Sequence, residues 1–295
     1  MSEELDLTEI TDPERRRVVF VSGLSGAGKS VALHTLEDLD FYCIDNFPIG
    51  LLDKLSDQIN QYPKLIAIGI NVRSQEHRIK ELPHAINRLK RTGATTELIF
   101  LEADNEVLIK RFSETRRKHP FSTAKQSLND AIENEQKLLA SIAIMADLKI
   151  DTSFTNMHDL RKIIYERVSK RTASVTSIQL VSFGFKNGAP HDADFIFDVR
   201  CLPNPYWIKE LRPFSGSDAT VIEYLQKQSM VIKMADSIIG FATEWIPKFE
   251  AENRSYLTIA IGCTGGRHRS VFLINRLAEK IQESDRQVII RHRDL

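Results

Sequence analysis

Two short stretches of this chain combine glycines with cationic side chains just ahead of a helical pattern, an arrangement in which backbone amides grip phosphate. The first is GLSGAGKS, running through Gly23, Leu24, Ser25, Gly26, Ala27, Gly28, Lys29 and Ser30. It fits G-x-x-x-x-G-K-[ST] at every required position. Glycines there allow angles that turn successive N–H groups inward, and the helix that follows adds uncapped amides and the positive end of its dipole. Lys29 is placed to reach the outer phosphates and to act on them in any transfer, and the Ser30 hydroxyl is placed for Mg2+. A second carboxylate on the metal side is expected at a strand end. Asp45 in YCIDN is preferred over Glu102 and Asp104 in IFLEAD. Arg111, Arg116 and Arg117, in a polar segment downstream, are candidates to clamp a γ-phosphate.

The second stretch is GCTGGRHRS, Gly262 to Ser270. Gly265 and Gly266 free the backbone, and Arg267, His268 and Arg269 bring positive charge to a helix start, which makes an anion nest. It lacks the lysine and the spacing for a triphosphate, so a smaller phosphoester such as a phosphorylated sugar fits better. Cys263, five residues before Arg269, also has the spacing of a cysteine-dependent phosphatase loop, where dipole and arginine would activate a thiol. Gly262 stands where such a loop usually has histidine, and no WPD-like segment offers an acid for the leaving group. Binding rather than catalysis is expected of this loop.

The elements that must position these loops follow from the pattern of apolar runs. RVVFVSG, FYCIDN, KLIAIGINVRS, TELIFLEAD and ADLKIDTS read as strands, with helical segments such as KSVALHTLEDL between them. Strands apolar on both faces, alternating with helices, indicate a parallel α/β sheet. A polar, proline-containing segment from Arg111 to about Leu139 interrupts this alternation and has the look of a lid. SIQLVSFGF, ADFIFDVR and YLTIAIG then read as strands of a second α/β block. The expected organisation is a flexible tail over 1–14, a P-loop domain over 15–168 and a C-terminal domain over 169–295.

At 295 residues, two domains are the natural expectation. A formal net charge of zero argues against polyanion binding driven by bulk charge and leaves room for a local basic face. The three cysteines form neither a disulfide framework nor a zinc pattern, which points to a reducing compartment. The acidic N-terminus is no signal peptide, and no apolar run is long enough to cross a membrane. A cytoplasmic protein without membrane association is expected.

The phrases VSGLSGAGKSVALHTLEDLDFYCIDNFP, SFGFKNGAPHDADFIFDVRCLPNPYW, LRPFSGSD and NRSYLTIAIGCTGGRHRSV together resemble the RapZ family, bacterial nucleotide-binding proteins also called RNase adapter proteins. The resemblance spans roughly Val18 to Arg293. It implies an N-terminal P-loop domain that binds ATP or GTP with Mg2+ and hydrolyses it weakly. It also implies a C-terminal domain, shaped like sugar-phosphate kinases, that senses glucosamine-6-phosphate. Enterobacterial members bind small RNAs, present them to an endoribonuclease, and assemble as oligomers. Asn71, Val72, Arg73 and Ser74 fall where the family carries a guanine-nucleotide motif reading Asp-Val-Arg-Asn, and only Val72 and Arg73 match it. Cys263, Thr264, Gly265, Gly266 and Arg269 match the loop that would grip the sugar phosphate. Tyr206 stands where enterobacterial members have a histidine of that pocket; its hydroxyl still donates a hydrogen bond but takes no charge. The lysine- and arginine-rich end of RNA-binding members is replaced here by RQVIIRHRDL. Arg276, Lys280, Arg286, Arg291 and Arg293 are the candidates for a remaining basic stripe. Two other functions stay open on the sequence: an RNA-binding adapter in which nucleotide only sets conformation, and a sugar kinase.

Overall fold

The computed structural model describes residues 16–70, 76–122, 126–169, 176–252, 254–283, 286 and 288–295. The expectations placed on residues 71–74 and on the 1–14 tail lie outside the described residues. The chain divides into two compact units, Met1–Lys170 and Arg171–Leu295.

In the first unit the elements run β1 (Arg17–Gly23), α1 (Lys29–Glu37), β2 (Tyr42–Phe47), α2 (Leu52–Gln58), β3 (Leu65–Ile70), α3 (Leu82–Arg91), β4 (Thr95–Glu102), α4 (Asn105–Thr115), α5 (Leu128–Met145), β5 (Leu148–Asp151) and α6 (Met157–Ser169). The five strands form one parallel sheet in the order β2-β3-β1-β4-β5. β1 is central and buried on both faces, with Val18, Val19, Phe20 and Val21 fully covered, as its unbroken apolar run requires. The chain leaves β1 toward one edge and β3 toward the other, so the carboxyl ends of this adjacent pair form a switch point where a ligand can lodge. The polar segment expected as a lid is the end of α4, a connection, and the long helix α5. α5 begins at a capping box, in which the Ser127 hydroxyl accepts from the Asp130 N–H and the Asp130 carboxylate accepts from the Ser127 N–H, each at 3.1 Å.

The second unit runs β6 (Ser177–Gly184), β7 (Phe195–Asp198), α7 (Ala219–Gln226), α8 (Ser229–Ala251), β8 (Tyr256–Cys263), α9 (Arg269–Gln282) and β9 (Val288–His292). Its sheet is also parallel, in the order β7-β8-β6-β9. With β6 set on β1, this is the winding of the first four strands of the first unit, and the switch point falls between β6 and β8. Ile178, Leu180, Ile259 and Ile261 of the sheet pack with Ile274 and Leu277 of α9 and with Ile238 and Ala242 of α8. The segment RQVIIRHRDL, which stands in place of the basic end of RNA-binding members and has no element assigned from sequence, is largely a sheet strand. Val288, Ile289 and Ile290 pair with Ile178, Gln179 and Leu180 of β6.

Candidate functional site

The GLSGAGKS loop joins β1 to α1. Its shape demands glycine most clearly at Gly23, whose φ is +141° and where a Cβ would lie 2.2 Å from the Leu101 backbone carbonyl of β4. No side chain caps α1, so its first amides are left for a ligand. The Lys29 ammonium folds over the loop, donating to the carbonyls of Gly23 at 2.5 Å and Leu24 at 3.1 Å. Arg111 of α4 does not stand free as a clamp. Its guanidinium donates to the Gly26 carbonyl at 3.1 Å and to Thr152 Oγ1 at 3.0 Å and the Thr152 carbonyl at 2.6 Å, bracing the loop against the turn after β5. Burial pulls its pKa below the ordinary value, against the charges of Asp151 and Glu114.

Sequence reasoning missed the group that touches this loop most closely. Glu135, from the middle of α5, accepts from the Ser25 N–H at 2.8 Å and from the Ser25 hydroxyl at 2.7 Å. His119 Nε2 lies 3.2 Å from the same carboxylate, and both side chains are almost completely buried. His119 Nδ1 accepts from the Phe121 N–H, which leaves the ring proton on Nε2, pointing at Glu135. Burial raises the Glu135 pKa, but the His119 hydrogen bond, the Lys29 charge and the Ser25 hydrogen bonds together bring it below the ordinary value. A signal was present in the sequence. The buried stripe of α5 is Ala131, Ile132, Glu135, Leu139 and Ile142, and a lone carboxylate in such a stripe needs a partner.

Of the metal-side residues, Ser30 lies in the first turn of α1 and Asp45 lies within β2, the strand beside β3. A Cβ on Gly69 of β3 would lie 2.7 Å from Asp45 Oδ1 and 2.8 Å from Leu33, one turn beyond Ser30 on α1. That bare glycine leaves room for the Asp45 carboxylate over β3, where Oδ1 accepts from the Asn46 N–H at 2.7 Å. Among the described residues no cluster of three or more His, Cys, Asp or Glu could hold a metal by itself.

The GCTGGRHRS loop joins β8 to α9 and its residues are held tightly. Gly266 has φ +73°, and a Cβ there would meet the Gly184 N–H at 2.6 Å and the Asp294 side chain at 2.8 Å. Asp294, just past β9, accepts from the Gly184 N–H at 2.6 Å. Cys263 Sγ accepts from the Gly266 N–H and lies 3.2 Å from Ser270 Oγ. Burial pushes this thiol up, but the Ser270 and Gly266 hydrogen bonds and the Arg269 charge bring it below its ordinary value. The Arg269 guanidinium donates through Nη1 to the Arg200 and Leu202 carbonyls, both at 2.9 Å, and through Nη2 to Thr264 Oγ1 at 3.2 Å. Its Nε, buried, has no hydrogen-bond partner among the described residues. Arg267 donates to the Pro213 carbonyl at 2.7 Å and the Phe214 carbonyl at 3.2 Å, so the two arginines fix both ends of the 200–214 loop. Tyr206 sits in that loop, half exposed, with Arg212 over its ring at 4.7 Å and Trp207 beside it.

The basic stripe is only partly a free face. Arg293 is corrected outright: its side chain is 3% exposed and its Nη2 donates to the Gly188 carbonyl at 2.7 Å, so it belongs to the frame. Arg286 makes a two-pronged pair with Glu250 at 2.9 and 3.0 Å, and Lys280 pairs with Glu283. Arg276 lies on α9 and Arg291 on β9, and both are half-buried.

A glycine-rich loop at the carboxyl end of a central parallel strand, with a lysine and a serine opening an uncapped helix, defines a P-loop nucleotide-binding protein. Comparison with known proteins gives the family. Residues 16–172 match the RapZ-like N-terminal domain and residues 176–295 match the RapZ C-terminal domain. The chain therefore belongs to the RapZ family. A nucleotide-binding protein of Stutzerimonas stutzeri is 47% identical over 283 residues, covering 95% of this chain and 99% of its own. Another, from Pseudomonas putida, is 48% identical over 284 residues, covering 95% of this chain and all of its own. Among solved structures, a shikimate kinase from Bacteroides thetaiotaomicron covers 52% of this chain and 98% of its own at TM-score 0.36 and 14% identity, a likeness too loose to bear on activity. Among the described residues no helix is long and apolar enough to cross a membrane.

Proposed function

We propose that this chain is a cytoplasmic regulatory protein that binds ATP or GTP with Mg2+ in its first unit and senses a phosphorylated amino sugar, of the glucosamine-6-phosphate kind, in its second. In the first unit the amides opening α1 and the Lys29 ammonium bind and orient the phosphate chain. Ser30 and Asp45 would hold Mg2+, which when bound neutralises charge on the outer phosphates. Nothing beyond slow hydrolysis is expected, and the units are expected to act within a homo-oligomer.

The observation that carries the second half is the buried Arg269 Nε without a partner, beside a glycine turn at the start of α9. An orphaned guanidinium N–H in a buried setting is costly, and an anion in the nest satisfies it. Calorimetry on the full chain tests this with glucosamine-6-phosphate, glucosamine and inorganic phosphate. The reading requires binding of the phosphosugar, weaker binding of phosphate and none of the free sugar. It also requires that Thr264→Ala weaken the first without affecting ATP or GTP. Equal heats for all three compounds, or none, would sink it. Tyr206→Phe reports whether the tyrosine hydroxyl takes the place of the family's histidine.

One observation favours a second reading, an adapter that binds small RNA and offers it to an endoribonuclease. Trp207 is 76% exposed, next to exposed Tyr206 and Phe214 and with Arg212 on the same loop. Aromatic faces with an arginine stack unpaired bases. Gel-shift titration with a small structured RNA at two salt concentrations, with and without Trp207→Ala, separates the readings. Retardation that ignores Trp207 removes this one.

A further inference from the structure

The contacts around Ser25 form a closed circuit between the phosphate loop and the segment that follows α4. A Cβ on Gly26 would lie 3.3 Å from the Phe112 ring. Phe112 packs edge-on against His119, with ring centroids 5.0 Å apart. His119 bonds to Glu135, and Glu135 accepts from both the N–H and the hydroxyl of Ser25. Immediately before His119 come Arg116, Arg117 and Lys118, three exposed cations with no side-chain hydrogen bond or ion pair among the described residues. Arg116 has φ +51°, a left-handed turn that ends α4 and redirects the chain toward His119. With about 3.8 Å between successive Cα atoms, Arg117 stands within about 7.6 Å of His119, whose ring is fixed one hydrogen bond from the carboxylate on the loop.

We propose that Glu135 is a positioning residue for nucleotide: by holding Ser25 and His119 at once it stations the Arg116–Lys118 cations at the terminal phosphate, so that the site distinguishes triphosphate from diphosphate. The inference rests on the nucleotide reading above. Three exposed cations in succession raise the local positive potential, which favours an anion brought close to them. The outermost phosphate is the anion that the P-loop brings to this side. Ser25 precedes the helix amides that take the inner phosphates, which places the Glu135 circuit on the outer side of the loop.

The test is calorimetry of the full chain with ATP and with ADP, both with Mg2+, for wild type and variants. Wild type is expected to prefer ATP. Glu135→Ala is expected to lower that preference by about tenfold, the weight of one charge-assisted contact, while ADP affinity changes by no more than about threefold. Arg116→Ala combined with Arg117→Ala should show the same pattern. Glu135→Gln should keep the preference, because its amide oxygen still accepts from the Ser25 N–H and His119, and its amino group can donate to the Ser25 hydroxyl. Equal losses for ATP and ADP would mean that Glu135 only supports the fold, and the proposal falls. It also falls if Glu135→Ala leaves the preference intact or if Glu135→Gln behaves like the alanine variant. Should Glu135→Ala fail to fold, His119→Ala carries the same comparison from the other side of the pair. A wild type that binds neither nucleotide overturns the underlying nucleotide reading, and this inference with it.

Discussion

At the scale of single residues, the two loops make different demands on their cations. Lys29 donates to two backbone carbonyls of its own loop and is only half-buried, so its loss removes a ligand contact without opening the core. Lys29→Ala should weaken ATP and GTP binding by about 10- to 100-fold while leaving the melting temperature within a few degrees, checked by calorimetry and thermal denaturation. Gly266 is the opposite case. A side chain there would be forced into a left-handed turn and onto the Gly184 N–H. Gly266→Ala should cost about 2–3 kcal/mol, seen as a drop of roughly 10 °C in the melting of the second unit, together with loss of phosphosugar binding. Both loops were legible because their glycines and cations are contiguous in sequence. The partners that complete them were not, since Glu135 lies 110 residues beyond Ser25, and Asp294 lies 110 residues beyond Gly184. No local pattern encodes such a pairing.

Among the elements, α5 carries a consequence that titration can detect. Its Glu135 has a folded-state pKa below the ordinary carboxylate value of 4.5. Such a group stabilises the fold fully above the unfolded pKa and loses that contribution as pH falls through the folded one. The melting temperature of the first unit should therefore fall more steeply below about pH 4.5 in wild type than in Glu135→Gln, whose amide does not titrate. Parallel slopes would show that the ionised form is not favoured by its surroundings. Strand–helix alternation was readable for most of the chain because parallel strands buried on both faces leave unbroken apolar runs. β9 was not recognised as a strand because it pairs at an edge. Its residues are half-buried or exposed, and the arginines and histidine that follow Ile290 outweigh its apolar start.

For the molecule as a whole, the division at residue 170 separates two sheets that share no strand. Each unit has its own hydrophobic core and its own glycine-rich loop at a strand's carboxyl end. Scanning calorimetry should resolve two transitions. Saturating ATP at about 100 times its dissociation constant should stabilise only one of them, by about 2.7 kcal/mol. A single transition that moves as a whole would show that the units are thermodynamically one. Both sheets are wound in the same strand order, yet the P-loop follows the first strand of its sheet and the anion nest follows the third. The same switch point is thus used from opposite sides.

The place of Asp294 beneath Gly266 has a consequence in time as well as in space. Every described contact of the P-loop lies within residues 16–160, so a growing chain has all of them once the first unit has been made. The nest has its strand, its turn and its arginine in place by residue 269 but lacks its floor until residues 293 and 294 arrive. During synthesis, then, the contacts of the P-loop are complete before those of the second glycine loop, which wait for residues 293 and 294.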